Sequence, residues 1–305
     1  MPKRVANTLS LFQLNELFPT TDSAMRYFEQ VRWNGSPVCA KCDKAEKITA
    51  QQKVGTYWCG SCRAYFTVFT NTPMERNKID ARKWIIAAYL FLTDRKGIAS
   101  IELSKKLQIK QQHAWYLLQR LRTACDSATT MLSGIVEVDE TFVGGKERNK
   151  HFVKKGQKDA KQPVLGMRQR GGKTIAKSIP GTDRLTLMTE IQKNVKPGST
   201  IYTDDHPSYH RLPKKGYQHE SLNHSANEYV RDLAHTYGIE SVWAVLKRGI
   251  EGTFHQVSTK HLDRYVNEFA FRLNEGNCQV DTADRMAALF AAMVGKRLKY
   301  KELIA

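Results

Sequence analysis

The sequence lacks any long apolar run. Its longest ones, residues 84–92 and 287–294, fall well short of the roughly 20 residues that a transmembrane helix needs, so no membrane partner is expected. A secretory signal is also not expected, because polar residues interrupt the stretch that follows Lys3 and Arg4. Internal repeats and low-complexity tracts are missing as well. These absences favour a cytoplasmic protein, with nucleoid DNA within reach.

Acidic residues are scarce relative to basic ones. The chain has 30 aspartates and glutamates against 48 lysines and arginines, which gives a formal net charge of +18. Such a charge disfavours a small neutral molecule as the main partner and predicts a polyanion. With 305 residues, the chain has room for a core domain of roughly 150 residues and one or two small modules.

Cysteines are few, and most of them fall into one pattern. Four of the six form two pairs with two residues inside each pair: Cys39 and Cys42, then Cys59 and Cys62. This spacing predicts a zinc ribbon with one structural Zn2+ held by four thiolates. Two disulfides are the alternative, disfavoured because no export signal accompanies them. We expect the other two cysteines, Cys125 and Cys278, to be buried apolar residues.

The first half of the chain is predicted to hold three parts. Residues 1–34 form an N-terminal helical segment with a helix at 22–33, and residues 35–73 form the zinc ribbon. Residues 78–127 have the pattern of a helix-turn-helix, with helices at 98–107 and 111–124. Gln111, Gln112 and His113 at the start of the second helix could read DNA bases, or could serve only in packing.

From residue 134 onward, strands mix with helices. Strands are predicted at 134–143, 163–168, 173–179, 199–203 and 218–222, and helices at 183–194, 234–249, 259–274 and 282–299. This order predicts an α/β fold with a mixed sheet and helices on its faces. We assign residues 133–277 to this domain and residues 278–305 to a C-terminal helix.

Three acidic residues are candidates for a two-metal site. Asp139 and Asp204 each close a strand, and Glu240 lies in a predicted helix. Carboxylates from such separate segments can converge on a pair of hard cations, which prefer oxygen ligands. Alternation along the first strand puts Asp139 and Glu140 on opposite faces. Because Glu140 shares its face with residues predicted to be core, among them Phe142, we choose Asp139 as the ligand.

Two choices are not decided by the residues alone. Alternation separates Asp204 from Asp205 without saying which one is functional. On the helix, Glu240 and Lys247 share one face. Glu240 could bind a metal and Lys247 a phosphate, or the two could form an ordinary solvated charge pair.

Five stretches of the chain carry a family resemblance. They are VEVDETFVGG at 136–145, YTDDHPSY at 202–209, NHSANEY at 223–229, HTYGIESVWAVLKR at 235–248 and the spaced YxxEFxxRxN at 265–274. Together with the cysteines, they resemble the insertion-sequence DDE transposases, in the subgroup with an N-terminal zinc ribbon. The resemblance implies a ribonuclease H-like catalytic domain over residues 133–277.

The resemblance also implies roles for single residues. Asp139 becomes the first catalytic acid, Asp204 rather than Asp205 the second, and Glu240 the third. They would hold two Mg2+ (or Mn2+) ions about 4 Å apart for an in-line phosphoryl transfer. One departure matters, since relatives commonly have asparagine where this chain has Tyr237, a poor Mg2+ ligand. The chain must therefore rely on Glu240, or its activity is compromised.

The implied partners are double-stranded DNA, as terminal inverted repeats and target, and further copies of the chain in a dimer or larger assembly. Basic residues beside the acids could hold the phosphate backbone: Lys146, Arg148, Lys150, Lys154, Lys155, Lys247 and Arg248. The lysine-rich segment at 144–161 could equally be a solvated loop. Two other functions stay open: a ribonuclease H-like nuclease that cuts without joining, and a DNA-binding protein whose acids are relics.

Overall fold

The computed structural model describes residues 6–126, 131–144, 161–222, 236–274 and 279–304. The chain divides into two compact units, the first made of Met1–Cys125 with Glu275–Ala305 and the second of Asp126–Asn274. Within the described ranges, no helix combines the length and apolar character needed to cross a bilayer.

The first unit begins with two helices, α1 (Leu11–Leu17) and α2 (Thr21–Trp33). Helix α1 was not predicted. It begins at a capping box, in which the Ser10 hydroxyl accepts from the Gln13 backbone N–H and the Gln13 side chain accepts from the Ser10 N–H. Helix α2 has the predicted position and apolar face, with Met25 and Phe28 buried.

A three-stranded antiparallel sheet follows, formed by β1 (Ile48–Ala50), β2 (Thr56–Cys59) and β3 (Ala64–Thr67). Its core is small. Two cysteines, Tyr57 and Phe66 are buried, and Trp33 packs against them with its ring centroid 5.3 Å from that of Tyr57. So few apolar residues supply little burial free energy, as expected for a domain that depends on a metal.

Three helices complete the predicted helix-turn-helix region: α3 (Ala81–Thr93), α4 (Ser100–Leu107) and α5 (Gln111–Ala124). Gln108 ends α4 in the left-handed conformation, with φ of 50°, so only three residues separate α4 from α5. Leu103 and Leu107 of α4 and Leu118 of α5 are buried. The two predicted helices and the short turn between them are therefore present.

The predicted single helix at 282–299 is wrong. The chain forms α9 (Thr282–Ala291) and α10 (Tyr300–Ile304), separated by a turn. Gly295 has φ of 79° in this turn, and its N–H donates to the Asn71 carbonyl oxygen. A glycine in the left-handed conformation ends a helix at little cost, and the bond to Asn71 fixes the turn.

The second unit contains one five-stranded sheet. In chain order its strands are β4 (Ile135–Val143), β5 (Gln162–Gln169), β6 (Thr174–Ser178), β7 (Thr200–Asp204) and β8 (Gln218–Leu222). Their order across the sheet is β6-β5-β4-β7-β8. The first three strands pair antiparallel, and β7 and β8 run parallel to β4. The predicted mixed α/β sheet is confirmed, with the strand order of a ribonuclease H-like domain.

Helices cover both faces of this sheet. Helix α6 (Arg184–Asn194) packs on one face through Leu187 and Ile191. Helices α7 (Tyr237–Gly249) and α8 (Leu262–Leu273) pack on the other. A π-helical turn, Ile250–Phe254, follows α7, and a 3-10 turn, Thr259–His261, precedes α8.

The predicted burial of β4 needs one correction. Phe142 was expected in the core, but it is 52% exposed. Val138, on the same face as Phe142, is buried as expected, and Glu137 and Thr141 on the opposite face are buried as well. The reason is that β4 is the central strand of a sheet covered by helices on both sides, so both of its faces are buried and alternation does not separate core from surface.

Candidate functional site

The four ribbon cysteines converge in the first unit. Their sulfur atoms all lie within 4.8 Å of one another. Cys39 Sγ is 3.7 Å from Cys62 Sγ, and Cys42 Sγ is 3.7 Å from Cys59 Sγ. Four sulfurs around a zinc ion with Zn–S bonds of about 2.3 Å would lie roughly 3.8 Å apart, so the cluster fits tetrahedral zinc.

The same distances exclude the disulfide alternative in this structure, since a bonded pair of sulfurs lies only about 2.05 Å apart. The pKa of the Cys59 thiol is lowered to about 7, chiefly because the Cys62 backbone N–H donates to it. A lowered pKa favours the thiolate form that binds metal. Cys125, outside the cluster, is buried as predicted, while Cys278 lies outside the described residues.

In the second unit, strand pairing brings Asp139 and Asp204 together. Strands β4 and β7 pair in parallel, with Glu137 opposite Tyr202. Asp139 and Asp204 each lie two residues beyond this last pair of partners, on β4 and β7 respectively. Side chains two residues apart in a strand share a face, so both carboxylates emerge at the same end of the sheet on the side covered by α7.

Two hydrogen bonds fix the Asp139 carboxylate. The Glu140 backbone N–H donates to Oδ1 at 2.8 Å, and Trp243 Nε1 of α7 donates to Oδ2 at 2.9 Å. Gly166 of β5 pairs with Asp139 and leaves room for the Trp243 ring, because a Cβ at this position would lie 2.5 Å from the ring. Trp243 thereby holds Asp139 in one orientation.

Burial raises the pKa of Asp139 to about 6, and the charges of Asp204 and Glu240 add to the rise. The two hydrogen bonds oppose it by stabilising the charged form. The three candidate acids are therefore close enough to repel one another, which is the electrostatic setting that a bound cation relieves.

Glu240 approaches this pair from the first turn of α7. Its side chain is exposed, and Oε1 accepts a hydrogen bond of 2.9 Å from Thr236 Oγ1. Among the described residues, the cysteines are the one group of potential ligands whose atoms all lie within 4.8 Å of one another. The carboxylates of Asp139, Asp204 and Glu240 are thus neighbours, but their oxygen atoms do not all lie within 4.8 Å of one another.

Glu140, set aside in favour of Asp139, is closer to the acids than expected. Burial raises its pKa to about 7, and the charges of Asp204 and Asp139 contribute. Burial and the charge of Glu140 raise the pKa of the Tyr209 hydroxyl well above its usual value, so the two groups lie close together without a hydrogen bond between them. The sequence contained an indication that these residues lie together, because Tyr209 is the last residue of the motif at 202–209 that contains Asp204.

Glu137 is a site residue that the sequence interpretation missed. It is 2% exposed, and its carboxylate accepts from the Ile239 backbone N–H in the first turn of α7 and from Arg170 Nε, both at 2.9 Å. Arg170 in turn lies over the Tyr202 ring, 4.8 Å from its centroid. Glycine at position 238 permits this approach, since a Cβ there would lie 2.5 Å from Glu137 Oε2. Glu137 therefore anchors the helix that carries Glu240 to the strand that carries Asp139.

Replacing Glu137 by alanine is expected to loosen α7. The change leaves the Ile239 N–H and the Arg170 guanidinium without this acceptor, which costs about 3 kcal/mol of stability. Hydrogen exchange of the α7 amides would show the loss as faster exchange, with Glu137→Gln intermediate. The matched control is Glu220→Ala, which removes an exposed glutamate from β8. Equal exchange rates in the Glu137→Ala and Glu220→Ala variants would contradict the anchoring role.

The predicted DNA-contacting residues fall in three places. Lys247 and Arg248 are exposed in the last turn of α7, about 10 Å along the helix from Glu240. Gln111, Gln112 and His113 are exposed at the start of α5, where Gln111 Nε2 donates to Ser100 Oγ. The remaining ones lie outside the described residues: Lys146, Arg148, Lys150, Lys154 and Lys155.

The fold and the site together define a class, that of ribonuclease H-like proteins that carry a zinc ribbon. Comparison with known proteins gives the family. Residues 131–274 match the ISXO2-like transposase domain, and residues 19–65 match the transposase zinc-ribbon domain. The chain belongs to this family of insertion-sequence DDE transposases with an N-terminal zinc ribbon.

Two relatives carry names that agree with the family. An uncharacterized protein in transposable element ISH50 of Halobacterium salinarum is 25% identical over 276 residues, which cover 84% of this chain and 91% of that protein. An uncharacterized transposase-like protein of Haemophilus influenzae is 30% identical over 96 residues, 32% of this chain and 76% of its own length.

Proposed function

We propose that this protein is an active transposase, which cleaves DNA at the terminal inverted repeats of its element and joins the freed 3′-hydroxyl ends to target DNA. The observation that carries the proposal is the convergence of Asp139 and Asp204 at the ends of adjacent parallel strands, beneath the helix that bears Glu240, in a chain of the transposase family.

In this proposal, Asp139, Asp204 and Glu240 are the catalytic acids and the ligands of two Mg2+ or Mn2+ ions. Their oxygen donors suit such hard cations. When bound, these ions supply an activated water or 3′-hydroxyl and stabilise the leaving oxygen. Trp243 orients the Asp139 carboxylate. Glu240 would serve as a ligand by giving up its hydrogen bond from Thr236, which an exposed side chain in the first turn of a helix can do.

The other parts of the chain serve DNA binding. The cysteine cluster holds one structural Zn2+, which stabilises the ribbon at 35–73. The ribbon and the helix-turn-helix at 78–127 locate the inverted repeats, with Gln111, Gln112 and His113 reading bases. Lys247, Arg248 and the basic segment that follows Gly144 hold phosphates near the catalytic domain at 133–277. Two ends must be processed together, so the working form is a dimer or larger assembly in the cytoplasm.

One alternative has a specific observation in its favour. A DNA-binding protein with relic acids would explain why the first turn of α7 carries Tyr237, 48% exposed, and why the three carboxylates are spread more widely than 4.8 Å. A strand-transfer assay separates the possibilities. With Mg2+, an oligonucleotide of the inverted repeat and a target plasmid, we expect nicked and joined products. Nicking without joining would indicate a nuclease, and DNA binding without nicking would indicate a DNA-binding protein that has lost catalysis.

A further inference from the structure

A basic cavity of about 220 Å3 opens in the first unit, away from the catalytic acids. Four cationic side chains line it, against a single carboxylate, that of Glu75: Arg76, Arg120, Arg297 and Lys299. Glu75 is shared between two of the arginines, at 3.4 Å from Arg297 and 3.9 Å from Arg76. The cavity therefore retains an excess of positive charge, which favours an anion as its ligand.

Arg120 of α5 is the central group of this cavity. It is only 8% exposed, and its guanidinium carbon lies 4.0 Å from the centroid of the Tyr116 ring. Among the described residues, none accepts a hydrogen bond from its buried Nε. A buried cationic donor left without an acceptor is costly, and such groups in native proteins commonly serve a ligand.

The aromatic wall of the cavity is well fixed. The Tyr116 hydroxyl donates to the Leu298 carbonyl oxygen at 2.8 Å, and its ring meets that of Tyr300 edge to face, with centroids 5.2 Å apart. This contact ties α5 to the turn that contains Arg297 and Lys299. The turn between α9 and α10, which the sequence pattern did not predict, thus brings two cations next to Arg120.

The shape and chemistry favour a phosphate group. The volume is below the roughly 300–1,000 Å3 of sites that enclose a drug-sized ligand. Guanidinium groups bind phosphate oxygens with paired hydrogen bonds, and a guanidinium stacked on a tyrosine ring is held in one plane for this purpose. Arg297 and Lys299 are paired with Glu75 and Glu302, but their side chains are 41% and 55% exposed, so they can exchange these exposed ion pairs for a backbone that passes over the opening.

We propose that this cavity is a phosphate-binding site for the DNA backbone, in which Arg120 binds a single phosphodiester and Arg297 and Lys299 flank it. The proposal rests on the proposed function, since it takes DNA as the partner. It adds a second DNA-binding position on α5, about two helical turns from the base-reading residues at its start. A phosphate held here fixes the register of the helix-turn-helix on the duplex.

The direct test is NMR of the arginine Nε–H signals in the full chain. The Arg120 signal is assigned by its loss in Arg120→Lys and followed during titration with a 20-base-pair duplex and, separately, with inorganic phosphate. We expect the duplex to shift it. A shift with inorganic phosphate alone would identify a site for free phosphate and overturn the DNA assignment, and no shift with either probe would overturn the site.

A second measurement does not depend on a change at the buried arginine. In a plot of log affinity against log salt concentration, the double variant Arg297→Gln/Lys299→Gln should have a slope of smaller magnitude than the wild type, by about 1 for each phosphate that it no longer neutralises. The decrease should be the same for any duplex sequence. The control, Lys214→Gln/Lys215→Gln, removes two exposed charges from a turn of the second unit that belongs neither to the cavity nor to the ribbon and the helix-turn-helix. Equal slopes for the wild type and the cavity variant, or an equal fall in the control, would contradict the proposal.

These readouts are independent of catalysis. If the protein binds DNA but does not cut it, the Arg120 shift persists while the strand-transfer assay fails. If it transposes without using the cavity, strand transfer succeeds and the Arg120 signal stays in place. Failure of the site and failure of the proposed function can therefore be told apart.

Discussion

Replacing Asp139 by asparagine is expected to reduce DNA strand cleavage by about a thousandfold or more, while DNA affinity stays near that of the wild type. Loss of one carboxylate removes a metal ligand and its charge, and metal stabilisation of a phosphoryl-transfer transition state is worth several kcal/mol. The measurement is the rate of nicking of an inverted-repeat duplex in Mg2+, with binding followed by fluorescence anisotropy.

The fold should tolerate this substitution. Burial disfavours the charged form of Asp139, as its raised pKa of about 6 indicates, and asparagine carries no charge. Its single side-chain oxygen can accept from either Trp243 or the Glu140 N–H, so one hydrogen bond is lost while the buried charge is removed, and the melting temperature should change by only a few degrees. The matched control is Asp205→Asn, a neighbour of Asp204 whose side chain is 48% exposed and lies 3.7 Å from His210. Cleavage by Asp139→Asn at the wild-type rate, or an equal loss in Asp205→Asn, would remove the assignment of the acids.

Removing zinc is expected to unfold the ribbon. Its apolar core consists of little more than Tyr57, Phe66 and the cysteines themselves, with Trp33 alongside. Zinc binding by such small domains contributes about 10–16 kcal/mol in peptides, far more than this core can supply. We expect Cys59→Ala to hold no zinc at neutral pH and to be cleaved within residues 34–70 by a protease that spares the wild type. Zinc content is measured by atomic emission.

The control for this prediction is Cys125→Ala. Cys125 is buried but lies outside the cluster, so the variant should keep one zinc per chain and resist the protease. Full protease resistance of metal-free Cys59→Ala would show that the ribbon folds without zinc. DNA cleavage is not the readout, because loss of the ribbon affects repeat recognition as well as folding.

The sequence predicted the parts of the fold that have strong local signals. The five strands of the sheet follow alternating or apolar runs bounded by glycine and proline. Helix α2 and helices α4 to α8 begin and end within a few residues of their predicted positions. Helix α1 also had a local signal, the capping box of Ser10 and Gln13, that was overlooked. The break between α9 and α10 depends on a hydrogen bond from Gly295 to Asn71, which no local pattern contains.

In the candidate site, too, the sequence predicted what has a local signal and missed what depends on tertiary contacts. The choice of Asp139 was made by assuming one buried and one open face of β4, yet both faces are buried because helices cover both sides of the sheet. The approach of Glu140 to Asp204 and the anchoring of α7 by the bond between Glu137 and Ile239 both involve residues more than 60 positions apart in the sequence. Alternation identifies which residues share a face, but it does not identify what covers that face.

Catalysis in this scheme depends on three carboxylates, distant in sequence, that share divalent cations. The sharpest test is the anomalous scattering of Mn2+ in crystals of the protein with its DNA. We predict two peaks about 4 Å apart, with Asp139, Asp204 and Glu240 among their ligands. Peaks held by Glu140 in place of Glu240, or no peak beside Asp139 at a Mn2+ concentration that supports cleavage, would refute this arrangement.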